Sequence, residues 1–292
     1  MKAQLQHLRL DESIPGRVSV WVDVAERSVN VLFDEVFDEL GIVLDEMQRN
    51  LAPRPLIFRS AKRKGFIVGA DLNRILAIKT DLEIQSFLLK GQTVLQKLEN
   101  YPNATLAVIQ GPCLGGGLEF AMACRYRIAA DAESTILGMP EAKLGLMPGW
   151  GGTQRLVEIV GFEHGLEMLL SGDPVNSHRA LEWRLVDSLF TEQSIENDIT
   201  QFLRADHLAR IDAMRAGHSG VGTRKDIVAK FHNELLDKQF PQSQSAISLA
   251  VKIGNEDSRV AGFEAERTLF YPLLMSPAVR AVLQRFATRP KQ

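Results

Sequence analysis

The sequence predicts an α/β fold with a helical C-terminal region, and three observations carry that prediction. Short apolar runs with strand-like spacing alternate with stretches of helical periodicity between Leu5 and Asp187. Beyond Thr191 the strand-like runs nearly vanish while helical periodicity continues. With 292 residues, 45% of them hydrophobic and 24% charged, the chain has an ordinary globular composition and enough length to bury a large core. Alternation of strands with helices favours a core with much parallel pairing.

In chain order, Leu5 to Leu10 and Arg17 to Val24 read as two strands around an Ile14-Pro15-Gly16 turn. From Val29 to Arg49 the period changes, and Val29, Leu32, Phe33, Val36, Phe37 and Leu40 begin one helical face. Pro53 and Pro55 end that helix, and Leu56 to Ser60 reads as a short buried strand. Lys64 to Leu72 follows, then helix-like sequence through Ile78, with Asp81 as a candidate cap for a helix reaching Leu98. Ala104 to Gln110 and Tyr126 to Ala130 are further strands. Gly152 to Val160, His164 to Leu170 and Ser177 to Trp183 read as short helices, the last leading into Leu185-Val186-Asp187. Ile195 to Leu208, Lys225 to Leu236, Ser243 to Ile253, Ser258 to Phe270 and Pro277 to Ala287 are helical in pattern, with a loop at Gly217 to Gly222. Residues 1–195 are therefore expected to form an α/β core and residues 196–292 a helical region.

Several function classes lose support at once. A net charge of −2 does not favour a nucleic-acid surface. Cys113 and Cys124 are too few for a disulfide framework and lack the spacing of a zinc site. The chain starts without a signal-type apolar segment, and no run approaches membrane-spanning length, so a cytoplasmic protein is expected. No Gly-x-Gly-x-x-Gly follows a strand, and no Gly-x-Ser-x-Gly elbow is present. The six histidines are scattered, and Gly217 to Thr223 lacks the lysine of a phosphate loop. Chemistry here has to rest on carboxylates and backbone amides.

Those groups converge between Tyr101 and Gly161. An apolar run from Ala104 to Ile109 feeds Gly115-Gly116-Gly117-Leu118-Glu119, a glycine cluster opening a helix. Such a junction leaves backbone N–H groups free, and without Cβ atoms a ligand can approach them closely. Glu119 lies in the first turn of that helix and Glu141 on a separate loop. Amide donors beside two carboxylates suit a reaction in which an oxyanion develops and protons move. The glycines alone fit tight helix-on-strand packing equally well, and either glutamate alone fits a solvated face.

Four segments then bear a family resemblance: Phe66-Ile67-Val68-Gly69-Ala70-Asp71-Leu72, Gly115-Gly116-Gly117-Leu118-Glu119, Met139-Pro140-Glu141 and Pro148-Gly149-Trp150-Gly151-Gly152-Thr153-Gln154-Arg155. In order and approximate spacing the chain resembles the enoyl-CoA hydratase/isomerase (crotonase) superfamily, well over roughly residues 5–190 and more loosely in the helical tail. Within it, Ser60-Ala61-Lys62, Phe263-Glu264-Ala265-Glu266 and Arg280-Ala281-Val282-Leu283 look most like the hydratase domain at the N-terminus of the multifunctional fatty-acid oxidation enzyme.

The resemblance implies a spiral of ββα units binding acyl-CoA thioesters, with coenzyme A entering as part of the substrate and no separate cofactor. It implies an oxyanion hole made by the amides of Ala70 and Gly116, and Glu119 and Glu141 holding a water between them as acid and base. Gly149 is the matching donor to the same water, and Arg27, Ser28, Ala70, Asp71, Leu72 and Asn73 match the CoA-binding positions. Asn73 stands where relatives often carry a lysine, and Trp150 where many carry a smaller or less polar residue. The function it implies is hydration of 2-trans-enoyl-CoA in β-oxidation, in a homo-oligomer or a fatty-acid oxidation complex. Two rivals are a Δ3-Δ2-enoyl-CoA isomerase and a non-catalytic acyl-CoA-binding protein.

Overall fold

The structure is a computed structural model and describes residues 5–49, 52–63, 65–216 and 239–288. The expected Lys225–Leu236 helix and the Gly217–Gly222 loop lie outside the described residues. In chain order the elements are β1 (Leu8–Asp11), β2 (Val18–Val22), α1 (Asp34–Gln48), β3 (Leu56–Ser60), α2 (Leu72–Ala77), α3 (Asp81–Glu99), β4 (Thr105–Ile109), β5 (Cys113–Leu114) and α4 (Gly116–Ala123). They continue with β6 (Tyr126–Ala130), β7 (Ile136–Gly138), a 3-10 turn over Pro140–Leu144, α5 (Gly152–Val160), α6 (Phe162–Ser171), β8 (Val175–Asn176), α7 (Ser177–Glu182) and β9 (Ser188–Phe190). The described remainder is helical: α8 (Ile195–Phe202), α9 (Ala205–Ala216), α10 (Pro241–Glu256), α11 (Arg259–Leu274) and α12 (Pro277–Ala287).

Six strands form one sheet in the order β1-β2-β3-β4-β6-β9, antiparallel only between β1 and β2. A parallel sheet is covered on both faces, so its strands read as unbroken apolar runs rather than alternating ones. The two faces separate residue by residue along each strand. Phe58, Ala107, Ile109 and Ala129 face the core under α1, α3 and α4, while Ile57, Leu106, Val108 and Ile128 face Ile199, Phe202 and Ile211 of α8 and α9. Helices α10, α11 and α12 share the first of these cores through Ile247, Val251, Phe270, Leu274 and Leu283. The residues after 195 thus pack onto the α/β part and build no separate core among the described residues.

A second, smaller sheet, β5-β7-β8, carries the functional segments. Leu114 N–H donates to Ile67 O, and Gly115 N–H donates to Gly138 O. The 66–70 segment, the glycine cluster and the end of β7 are therefore laced side by side.

Three boundaries differ from expectation. Helix α1 starts at Asp34, because Leu32 is used in a bridge to Ala70: its N–H donates to Gly69 O and its carbonyl accepts from Asp71 N–H. Thr80, not Asp81, caps α3, completing a reciprocal capping box with Glu83. The run expected as one helix from Ile195 to Leu208 breaks at Leu203–Arg204 into α8 and α9.

Candidate active site

The glycine cluster holds its shape because no other residue fits there. Gly115 sits at φ +52 and ψ −126, outside the range of L side chains, and a Cβ on it meets Glu141 Oε1 at 2.6 Å. The next residue, Gly116, opens α4, and the position of its missing Cβ is 3.5 Å from Ala70 N. The N–H groups of Ala70 and Gly116 are thus neighbours, and among the described residues neither donates to a protein acceptor. Both residues line a cavity of about 440 Å³.

Glu119 and Glu141 line the same cavity. Glu119 is 2% exposed and comes from the first turn of α4. Its Oε1 accepts from Trp150 N–H at 2.7 Å and Gly152 N–H at 2.8 Å. Burial, then the charges of Glu266 and Glu141, raise its carboxyl well above the ordinary range, against the pull of those two amides. Glu141, on the 3-10 turn, is pushed up to about 7 by burial and by the Glu266 charge, against a bond from its own backbone. Its Oε2 is buried without a hydrogen-bond partner among the described residues. Two raised carboxyls on one cavity suit chemistry in which one serves as acid while the other acts as base.

The rest of the cavity wall is mostly apolar, with Lys143 the charged exception: Leu72, Phe87, Leu88, Leu146, Met147 and Phe270 contribute, as does Phe286 of α12. Trp150 closes one side. Its ring sits edge-on to Phe37 and Phe87, with centroids 4.9 and 5.3 Å apart, and lies where a Cβ on Gly116 would fall, 2.4 Å away. Its indole packs directly behind one of the two free amides.

The remaining sequence-predicted positions divide. Gly149 and Leu72 line the cavity with the glutamates. Asp71 is buried, caps α2 by accepting from Asn73 N–H at 2.9 Å, and pairs with Arg27 at 2.5 Å. That pair ties the 25–29 turn to the Ala70 loop, so the Asp71 carboxylate is occupied in holding backbone. Ser28 and Asn73 are exposed beside it and do not line the cavity.

Sequence reasoning missed two residues of this site. Glu266 of α11 is fully buried and takes Gly151 N–H at 2.7 Å and Thr153 N–H at 3.0 Å. Gln92 of α3 directs its amide nitrogen to Gly149 O and to Glu266. The signal was a polar residue inside an apolar helical face: Glu266 stands between Phe263 and Phe270, and Gln92 between Leu88 and Leu95.

The chain is 34% identical over 283 residues to the fatty acid oxidation complex subunit alpha of Idiomarina loihiensis, covering 93% of this chain and 39% of that protein. The chain thus spans well under half the length of that relative. The solved enoyl-CoA hydratase of Bacillus anthracis superposes with a TM-score of 0.62 at 25% identity, over 92% of this chain and 90% of the other. A carnitinyl-CoA dehydratase from Mycobacterium thermoresistibile reaches a TM-score of 0.75 at 17% identity, over 98% and 91%, a likeness of fold. The profile of the family described as enoyl-CoA hydratase/isomerase matches residues 20–219, and with that match, the glycine cluster and the paired glutamates in one cavity, the chain belongs to that family.

Proposed function

We propose that this protein adds water across the double bond of a 2-trans-enoyl-CoA to give a 3-hydroxyacyl-CoA, as a step of fatty-acid β-oxidation. One observation carries the reading: Glu119 and Glu141 open onto the same cavity as the neighbouring free amides of Ala70 and Gly116. The thioester carbonyl sits at the two amides, and the acyl chain runs along the apolar wall. A water held between the carboxyls attacks C3 as the ionised one takes its proton. Electrons of the C2–C3 double bond move toward the thioester oxygen, where two preorganised N–H donors stabilise the developing enolate. The protonated carboxyl then delivers its proton to C2, and the pair ends with one proton, as it began. Placement in β-oxidation draws on the relative named as a fatty acid oxidation complex subunit.

The CoA portion lies outside the cavity mouth, by the Ala70 loop. Arg27, Ser28, Asp71, Leu72 and Asn73 surround that loop, with the Arg27–Asp71 pair setting its shape. The test is direct: 2-trans-enoyl-CoA thioesters lose their conjugated absorbance on hydration. Turnover is expected for the wild type, and its absence with a folded protein across acyl lengths overturns the reading.

A further inference from the structure

We propose that Glu266, carried by the C-terminal helix α11, is a positioning residue that fixes the 149–153 loop against Glu119 and so sets how that carboxylate meets water and substrate. The proposal rests on the hydration reading above. Its basis is the way successive N–H groups of one short loop are shared between two buried carboxylates. Trp150 and Gly152 donate to Glu119, while Gly151 and Thr153, alternating with them, donate to Glu266. Shifting the loop off Glu266 therefore moves the donors that hold Glu119.

The grip of Glu266 is complete on both oxygens. Oε1 accepts from Thr153 N–H and, at 2.6 Å, from the Thr153 hydroxyl. That hydroxyl itself accepts from Gln154 Nε2 at 2.7 Å, so its own proton points at Glu266. Oε2 accepts from Gly151 N–H and from Gln92 Nε2 at 3.2 Å. The Arg267 guanidinium donates to Gln92 Oε1, which orients the amide so that its nitrogen also reaches Gly149 O. Every group around Glu266 is a donor, and a glutamine there would set its NH2 against some of them.

Burial pushes Glu266 itself up to about 7, so its charge acts on the pair as pH rises through that range. After burial itself, that charge is the largest influence raising Glu119, and it raises Glu141 too. The charged groups that bear on it are Glu119 of α4, Glu141 of the 3-10 turn and Arg155 of α5, with Arg267 on its own helix engaged by Gln92 of α3. The buried face of α10 carries no charge. Removing the Glu266 charge lets the catalytic pair lose its last proton at lower pH, which moves the alkaline limb of the rate profile down.

The test uses the full chain with Glu266→Gln, Glu266→Asp, Thr153→Val and Thr153→Ser, measuring hydration kinetics against pH and amide hydrogen exchange in residues 149–153. For Glu266→Gln, kcat is expected to fall about ten- to a hundredfold with KM within about threefold. Its alkaline limb should move to lower pH, and Trp150 and Gly152 should exchange at least about tenfold faster along with Gly151 and Thr153. Glu266→Asp keeps the charge but shortens the arm, so it should lose kcat without moving the limb. Thr153→Val should lose part of kcat and Thr153→Ser should restore it. A folded Glu266→Gln protein with wild-type kcat and an unmoved limb overturns the proposal. If that variant does not fold, a Thr153→Val protein matching wild type in rate and exchange overturns it. A wild type without hydratase activity sinks the functional reading, while the exchange data still judge the positioning role.

Discussion

Glu141→Gln should stabilise the fold at alkaline pH while removing activity. Glu141 stands at about 7 against an ordinary carboxyl near 4.5, chiefly because burial disfavours its charge. A carboxyl raised in the folded state leaves stability intact below the unfolded value and withdraws it as pH climbs through the folded one. The penalty starts to build around pH 4.5, grows up to about pH 7 and levels off at about 3 kcal/mol. Gln keeps the shape without the charge, and it also relieves Glu119, which the Glu141 charge pushes further up. Urea unfolding at pH 5 and pH 8.5 measures the difference. The variant is expected to be more stable by about 1 kcal/mol or less at pH 5, and by about 3 kcal/mol at pH 8.5. Hydration by the same samples should be lower by about a hundred- to ten-thousandfold. A stability gap independent of pH, or a variant less stable at pH 8.5, refutes the claim that half-buried Glu141 is held with a costly charge.

How much of this was legible in the sequence depended on how local the cause was. The Leu56–Ser60 and Tyr126–Ala130 strands and the Gly152–Val160 and Pro277–Ala287 helices fall where periodicity and flanking turns put them. The start of α1 was not legible, because Leu32 fits the helical stripe and is withdrawn from it by hydrogen bonds to Gly69 and Asp71. Strands β5 and β8 have two residues each, too few to show a period, yet β5 brings Gly115 beside Gly138. Glu119, Glu141 and the glycine cluster were legible as motifs on short segments. Glu266 was visible as part of a family-like segment and as a charge on an apolar face; its meaning depends on Thr153, 113 residues earlier in the chain. The C-terminal helices therefore do more than cover apolar surface: one of them reaches the loop that holds Glu119.

Gly115→Ala should cost about 1–3 kcal/mol of stability from its backbone conformation, and at 2.6 Å the new Cβ displaces Glu141. Hydration should drop at least about a hundredfold, and a stable variant with native turnover counts against this account of the turn. Trp150→Phe should make room behind Gly116, raising kcat/KM for longer enoyl chains relative to short ones; an unchanged ratio places the acyl chain elsewhere. The last prediction separates hydration from Δ3-Δ2 isomerisation through the two glutamates. Hydration needs both carboxyls, one for water and one for C2, whereas isomerisation can shuttle a single proton along the chain on Glu141 alone. Gln retains size and much of the hydrogen bonding of Glu but cannot exchange a proton at neutral pH. For a hydratase, Glu119→Gln and Glu141→Gln each lose about a hundred- to ten-thousandfold. The double variant loses less than the product of the two, because groups serving one water act as a unit. For an isomerase, Glu141→Gln alone abolishes turnover and Glu119→Gln leaves most of it. Both reactions measured on both single variants decide the matter, and wild-type rates in all four measurements remove these carboxyls from the chemistry.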